Sequence, residues 1–268
     1  MRDPLGNRIE QYDSGVLTQN TFNAANELLV VTPPSGAATT NTFDANGNLT
    51  VANTGGAITT NTWDSEHRLT NIANPDGSSI QSVYSQDGLR KSKTTEGATT
   101  LYTWDEQNVL LETSTAGALL ARNTDYPGYW GGLASQNRSG VSSFYLFDSQ
   151  GTTRALTSLA GLITDSYILK AFGEELLAGN GTVNPFWYVG QFGYYRDMQE
   201  LMQVRARWLA TVIVRWLSRD PIGFESGDWN IFRYVMNSST NNLDPSGTDA
   251  SEQNWHNCLA KRGRRFPW

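Results

Sequence analysis

Five aromatic residues recur along the first half of the chain at almost constant spacing: Phe22, Phe43, Trp63, Tyr84 and Trp104, separated by steps of 21, 20, 21 and 20 residues. The segments that lead into three of them are near copies. Gly36 opens Gly-Ala-Ala-Thr-Thr-Asn-Thr-Phe-Asp, Gly56 opens Gly-Ala-Ile-Thr-Thr-Asn-Thr-Trp-Asp, and Gly97 opens Gly-Ala-Thr-Thr-Leu-Tyr-Thr-Trp-Asp. A fixed period of this length means one supersecondary unit used repeatedly, so the chain is a tandem array.

The unit can be read from its punctuation. Four residues after each aromatic stand Asn26, Gly47, His67, Gly88 and Asn108, of the types that best tolerate positive φ. Thirteen or fourteen after it stand Gly36, Gly56, Gly77, Gly97 and Gly117, a second turn. Two turns per period leave two segments of about 6–8 residues, which is strand length. Those segments are rich in Thr, Val, Ile and aromatics, and no helical periodicity fits between the glycines. Each unit is therefore expected to be a β-hairpin, and the array an antiparallel meander. The residue after the aromatic (Asn23, Asp44, Asp64, Ser85, Asp105) can bond the backbone two residues on and initiate the turn. Leu28, Leu49, Leu69 and Leu110, six after the aromatic, and Leu89, five after, are expected to form an aromatic–Leu ladder on one face. His67 falls in the turn slot and is read as a turn residue, neither ligand nor base. The period continues more loosely through Tyr126, Phe147-Asp148 with Gly151, and Tyr167.

The unit aromatic-Asp-x-x-Gly-x-Leu, as in Phe43-Asp44-Ala45-Asn46-Gly47-Asn48-Leu49, resembles the YD repeat of the rearrangement-hotspot (RHS) family. The second half resembles it more specifically. It runs Phe186-Trp-Tyr-Val-Gly-Gln-Phe-Gly-Tyr-Tyr-Arg-Asp197, Val204-Arg-Ala-Arg207, Arg215-Trp-Leu-Ser-Arg-Asp-Pro-Ile-Gly223, Asn230-Ile-Phe-Arg-Tyr-Val-Met-Asn237 and Asp244-Pro-Ser-Gly247. In order and spacing these segments are similar to the RHS repeat-associated core domain found in polymorphic toxins and in the C components of insecticidal toxin complexes. The resemblance covers roughly residues 1–247. It implies an all-β fold, an antiparallel hairpin array wound as a spiral sheet that is part of a hollow β-shell. The expected division is a repeat array over 1–180, the core over 181–247 and a variable, disordered tail over 248–268. The chain is shorter than such proteins, so it is expected to be a C-terminal piece of a longer array, with an unpaired strand edge at its N-terminal side.

The residues that could carry chemistry are two aspartates in matching contexts, Asp220 in Arg-Asp-Pro-Ile-Gly and Asp244 in Asp-Pro-Ser-Gly, 24 residues apart. In self-cleaving family members the cut follows a leucine just after a motif like the second, by a reaction of the aspartyl-protease type. Such chemistry needs two carboxylates close enough that one keeps a proton as acid while the other activates water. The resemblance gives Arg219 the part of holding a carboxylate ionised or polarising the carbonyl oxygen. Read from the residues alone, Asp-Pro before Gly is equally a turn formula, with Asp accepting backbone N–H bonds. Thr248 stands where the leucine is expected, and 20 residues follow it, too few for a folded toxin domain. The chain is therefore expected to stay full length.

Residues 194–220 contain neither Gly nor Pro, whereas the family breaks this stretch twice with turns. Met198, Leu201, Met202, Leu209, Val212, Ile213 and Trp216 fall on one helical face, which makes a helix the alternative. Strands are favoured because the flanking motifs are intact and Val212-Ile213-Val214 is strand-prone.

Of 268 residues 38% are apolar and 17% charged, with net charge −6. Thr, Asn, Ser and Gly on both strand faces suggest a sheet wetted on both sides. A single cysteine, Cys258, excludes an internal disulfide framework, and two distant histidines argue against a zinc or Ser-His-Asp site. No cofactor or metal is expected. No stretch is apolar and long enough to span a membrane, and no signal peptide opens the chain; a secreted or cell-surface location rests on the resemblance. Nothing in residues 1–250 suggests a nucleic-acid surface, and the bases Lys261, Arg262, Arg264 and Arg265 read as a solvated end. Three functions compete: a β-shell segment that encloses or displays a variable C-terminal effector, a self-processing aspartyl protease cutting near Thr248, and a cell-surface glycan-binding module using the repeat aromatics. The expected partners are upstream repeats or another shell-forming protein, the effector as cargo, and glycan on the third reading.

Overall fold

A computed structural model describes residues 1–13, 15–198 and 200–248. The tail from 249 to 268, with Cys258 and the basic cluster, lies outside the described residues. The chain is all-β. Sixteen strands from Glu10–Asp13 to Ile163–Ser166 form one antiparallel sheet in which each strand pairs with its chain neighbours. This is the expected meander. The sheet is open. Its first edge carries the Met1 ammonium on the Glu10 carbonyl, and Lys170, just beyond the last strand, pairs with Asp13. At the other edge Asn180 Nδ2 caps the Thr164 carbonyl at 2.9 Å. Each edge strand thus carries a contact from elsewhere in the chain and keeps the rest of its outer backbone without a neighbouring strand among the described residues.

The turns follow the sequence reading in detail. Asp44 Oδ1 accepts the N–H groups of Asn46 and Asn48, and Asp64 Oδ1 accepts those of Glu66 and Arg68, each at 2.9 Å. Asn26, Gly47, His67 and Gly88 have φ between 61° and 84°. His67 is indeed a turn residue, and its Nδ1 accepts from Asn48 Nδ2 at 3.2 Å. The same turn also occurs at Asp3–Asn7, where Asp3 Oδ1 accepts Leu5 N–H and Asn7 N–H. The aromatic slot there is Arg2, so the period could not be followed that far.

The fifth unit departs from the pattern. Asp105 pairs with Asn108 around a two-residue turn, and positive φ falls on Glu106 (51°) instead of Asn108. Trp104 therefore faces Val109, one residue early; Val109 is buried and Leu110 is 36% exposed. In the fourth unit Tyr84 faces Arg90, which is 1% exposed in a slot that other units give to Leu.

Every unit also splays at one end. The strands Leu49–Thr54 and Ala57–Trp63 stay paired only as far as Val51 and Thr60. Beyond that point the Leu49 carbonyl faces the next hairpin with no ladder partner, and side chains meet it: Asn61 Nδ2 at 3.0 Å and Trp63 Nε1 at 2.9 Å. Asn41 does this for Leu28 O, Tyr84 OH for Leu69 O, Trp104 Nε1 for Arg90 O and Asn123 for Val109 O. The repeated Asn-Thr-aromatic-Asp motif thus encodes two devices, a turn initiator and a side-chain donor for an otherwise orphaned carbonyl.

The splayed end receives the C-terminal region. Leu49 N–H donates to Leu217 O at 2.9 Å, and Thr153 N–H to Trp187 O at 2.8 Å. Leu49, Leu69, Ile72 and Ile80 pack on Trp208, Ala210 and Leu217, while a larger cluster joins Tyr102, Tyr145 and Leu156 to Phe186, Tyr188, Tyr194, Leu209 and Tyr234. One face of the sheet is therefore dry, contrary to the reading of a sheet wetted on both sides: its apolar partner is supplied from far along the chain. Residues 194–220 form strands, Tyr195–Met198, Leu201–Val204, Arg207–Ala210 and Arg215–Trp216. Val212-Ile213-Val214 is not one of them. It forms the turn between the last two, with Val214 at φ 55°, because the strand pairing of Ala210 with Arg215 closes the hairpin there.

Two consequences can be measured. Asn61→Ala and Trp63→Phe each leave Leu49 O one donor and should each cost about 1 kcal/mol, while the double variant orphans it and should cost more than the sum in a denaturation cycle. The second concerns acid. Burial opposes ionisation of Asp44, yet the bonds from Asn48 and Asn46 and the nearby His67 hold its carboxyl below the usual range; burial likewise opposes Asp64, and Arg68 and Glu66 overcome it. Their contribution is complete above the unfolded carboxylate value and is lost as pH falls through the folded ones. The melting temperature should fall on acidification below about pH 4, and Asp44→Asn should flatten that fall.

Candidate aspartate–arginine site

Asp220 and Asp244 each build a turn with one oxygen and turn the other toward the same arginine. Asp220 Oδ1 accepts Ile222 N–H at 3.1 Å, and Asp244 Oδ1 accepts Thr248 N–H at 3.0 Å and Ser246 Oγ–H at 2.9 Å. Asp220 Oδ2 lies 2.8 Å and Asp244 Oδ2 3.0 Å from Nη2 of Arg207. Both carboxylates and the guanidinium are buried. The turn reading and the paired-carboxylate reading thus describe different oxygens of the same side chains.

Arg207 opens the strand Arg207–Ala210, directly after the tight turn at Arg205-Ala206. Its Nε donates to Gly247 O, and its Cζ lies 4.2 Å from the centre of the Trp216 ring. Burial lowers its pKa, against the opposing pull of Asp244 and Asp220. Arg205 grips the same turn from the other side through Pro245 O, and it also donates to Phe192 O and Gln107 O. A side chain at Gly247, where φ is 74°, would fall on the Val204 carbonyl, so only glycine lets this turn sit on the hairpin tip. Tyr194 completes the support: its hydroxyl donates to Asp244 O at 2.9 Å and accepts from Asp244 N–H at 3.0 Å. Burial first, then Asp244, pushes that hydroxyl's pKa well above its usual value, so it stays protonated.

Arg219 stands apart from the pair. Its guanidinium reaches Glu27 at 3.2 Å, and its stem covers Gly47. It lines a cleft of about 290 Å³ over Asp220, with Asn46, Asn48, His67, Ser218 and Pro221. The arginine that touches both carboxylates is in the Val-Arg-Ala-Arg segment, which had been noted only as a family signature. Its signal was two arginines, separated by Ala206, between two mainly apolar segments that form strands.

Chemically, the arrangement offers two acids within reach of one fixed cation, one of them, Asp220, lining a cleft. Among the described residues no group of three or more His, Cys, Asp or Glu side chains is arranged to hold a metal ion.

Removing Arg207 leaves two acids buried without their shared cation, so Arg207→Met should cost at least about 3 kcal/mol in urea unfolding. Adding Asp244→Asn to that variant should restore part of the loss.

No protein-family signature and no curated relative matches the chain by sequence. Its fold is similar to chains in solved toxin-complex structures. It aligns with the crystal structure of TcdB2-TccC3-TEV at TM-score 0.57 and 18% identity over 92% of this chain. It aligns with a Photorhabdus luminescens Tc holotoxin pore, carrying an aspartate-to-alanine substitution in TccC3, at TM-score 0.56 and 18% identity over 95% of this chain. In both cases it spans 17% of the matched chain's length. At this identity the likeness is one of fold.

Proposed function

We propose that this chain is a segment of a β-shell, of the RHS type, that encloses or displays whatever follows its Asp-Pro-Ser-Gly turn. Residues 1–180 act as the wall, 181–247 as the core that seats the exit turn, and 248–268 as the start of the variable region. The observation that carries this reading is the seating itself: Arg205, Arg207 and Tyr194 hold the backbone of Asp244–Thr248 on the dry face of a large open sheet. The fold likeness to TcdB2-TccC3 chains, of which this chain spans 17%, supports a place within a larger wall. On this reading further repeats or another shell-forming chain extend the sheet, the effector is cargo, and the assembly is secreted or surface-borne. Among the described residues no helix is long and apolar enough to cross a membrane.

A second reading is favoured by one specific observation, the convergence of Asp220 and Asp244 on Arg207. It makes the same turn a self-cleavage site, with the carboxylate pair activating water against the bond after Thr248, and Arg219 at the cleft that receives the chain. The glycan reading gains nothing, because the polar handles of Trp63, Tyr84 and Trp104 are engaged with the backbone of the preceding unit.

Intact-mass measurement separates the first two. The unaltered chain should stay full length, since Thr248 replaces the expected leucine. Thr248→Leu should yield a cut after position 248 that Asp244→Asn abolishes. If Thr248→Leu folds and remains whole, the protease reading fails and the shell reading stands. The shell reading fails if protease digestion frees the Asp244–Thr248 turn as readily as an unfolded peptide.

A further inference from the structure

Where the first repeat meets the C-terminal region, a small, partly enclosed cavity is lined by three arginines, Arg8, Arg215 and Arg233, together with Asn20, Val214 and Asn237. Among the described residues, one of the three has a carboxylate in contact. Arg233 pairs with Asp228 through Nε at 2.7 Å and Nη2 at 2.6 Å. Arg215, 7% exposed, donates instead to neutral oxygens, Asn7 Oδ1 at 2.9 Å and Asn26 O, and lies 4.9 Å from the Phe22 ring centre. Arg8 donates to Asn237 Oδ1 at 3.2 Å and stacks 4.2 Å from the Phe172 ring centre. Asp3 and Asp228 act on Arg215 from a distance and Arg233 opposes them; Asp3 has its oxygens committed to Leu5 N–H, Asn7 N–H and Asn7 Nδ2, and Asp228 is paired with Arg233.

Two cations are therefore sequestered here with neutral partners, which is costly in a low-dielectric interior. Burial pushes Arg215 down to about 9 and Arg8 down to about 10, the latter helped by Arg2. The backbone around the cavity is held in unfavourable conformations as well: Val214 at φ 55° and Asn237 at φ 58° both line it, and Val235 and Met236 precede Asn237 at 40° and 54°. Strain of this kind persists where the surroundings over-determine it, and such places are often binding sites.

We propose that this cavity binds one small monovalent anion of the halide class, held between the Arg8 and Arg215 guanidinium groups. Size selects the class. The cavity measures about 10 Å³, near the least that holds one water-sized particle, so a monatomic halide needs less rearrangement than a larger tetrahedral oxyanion. Arg8 is half-buried, so its side chain can move outward slightly to admit chloride. The anion neutralises the surplus charge and ties the Gly6–Arg8 segment and first repeat to the 213–215 and 233–237 turns. Water is the competing occupant, and it would suit the buried Asn20 Oδ1, which has no hydrogen-bond partner.

The test is thermal unfolding of the full chain in sodium chloride against sodium gluconate at equal ionic strength, with crystals grown in sodium bromide for anomalous diffraction. At a concentration about ten times the dissociation constant, chloride should raise the melting temperature by about 3–5 °C over gluconate. Bromide should give an anomalous peak between Arg8 and Arg215, and Arg8→Met should abolish the chloride-dependent rise. Equal melting temperatures in the two salts overturn the proposal, as does water density without a bromide peak, or a chloride effect that persists in Arg8→Met. If Arg8→Met does not fold, the bromide peak in the unaltered chain decides alone.

Discussion

Each hairpin of the sheet parts from the next before its strands end, and the rest of the molecule is built on that gap. The carbonyls of Leu28, Leu49, Leu69, Arg90 and Val109 face a neighbour too far away to donate a backbone N–H, and a side chain from the next unit fills the place. A flat, fully paired sheet would need no such donors, and it would also present no opening. The opening is where Leu217 and Trp187 add their own backbone bonds and where the aromatic core enters. A polar repeat, poor in apolar residues, thereby acquires a dry face without owning one.

That arrangement explains which features the sequence could yield. The period, the turns and the donors are local, encoded within about 20 residues, and the aromatics and glycines announced them. The covering of one face is not local. Nothing near Leu69 or Ile72 indicates that Trp208 and Leu217 lie on them. Arg90 illustrates the limit: in the slot of a packed leucine it reads as an error, and only the distant Asp197, with the rings of Tyr102, Tyr195 and Trp208, makes a buried guanidinium tolerable. The Val-Ile-Val segment fails for a related reason, since tertiary closure of a hairpin overrode the strand preference of three β-branched or branched residues.

The candidate site was half legible. Two Asp-Pro turns in matching contexts were visible as a pair, but their two uses were posed as alternatives. The structure gives one oxygen of each to the turn and the other to Arg207. A neighbouring residue in sequence, Arg219, drew the role that geometry gives to one thirteen positions from Asp220 on a separate strand. Adjacency along a chain is a weak guide to which side chains meet in an irregular segment such as 217–220.

The seat of the Asp244–Thr248 turn has a consequence for timing. The turn rests on the tip of the 204–207 hairpin, against a glycine that admits nothing larger, and it is held by a tyrosine 50 residues earlier. None of these contacts exists until that hairpin has closed and docked on the sheet. The two acids come together only once that hairpin is closed, because they meet through the one side chain of Arg207. Two aspartates 24 residues apart in sequence thus share a partner only in the finished fold, and their meeting reports its completion.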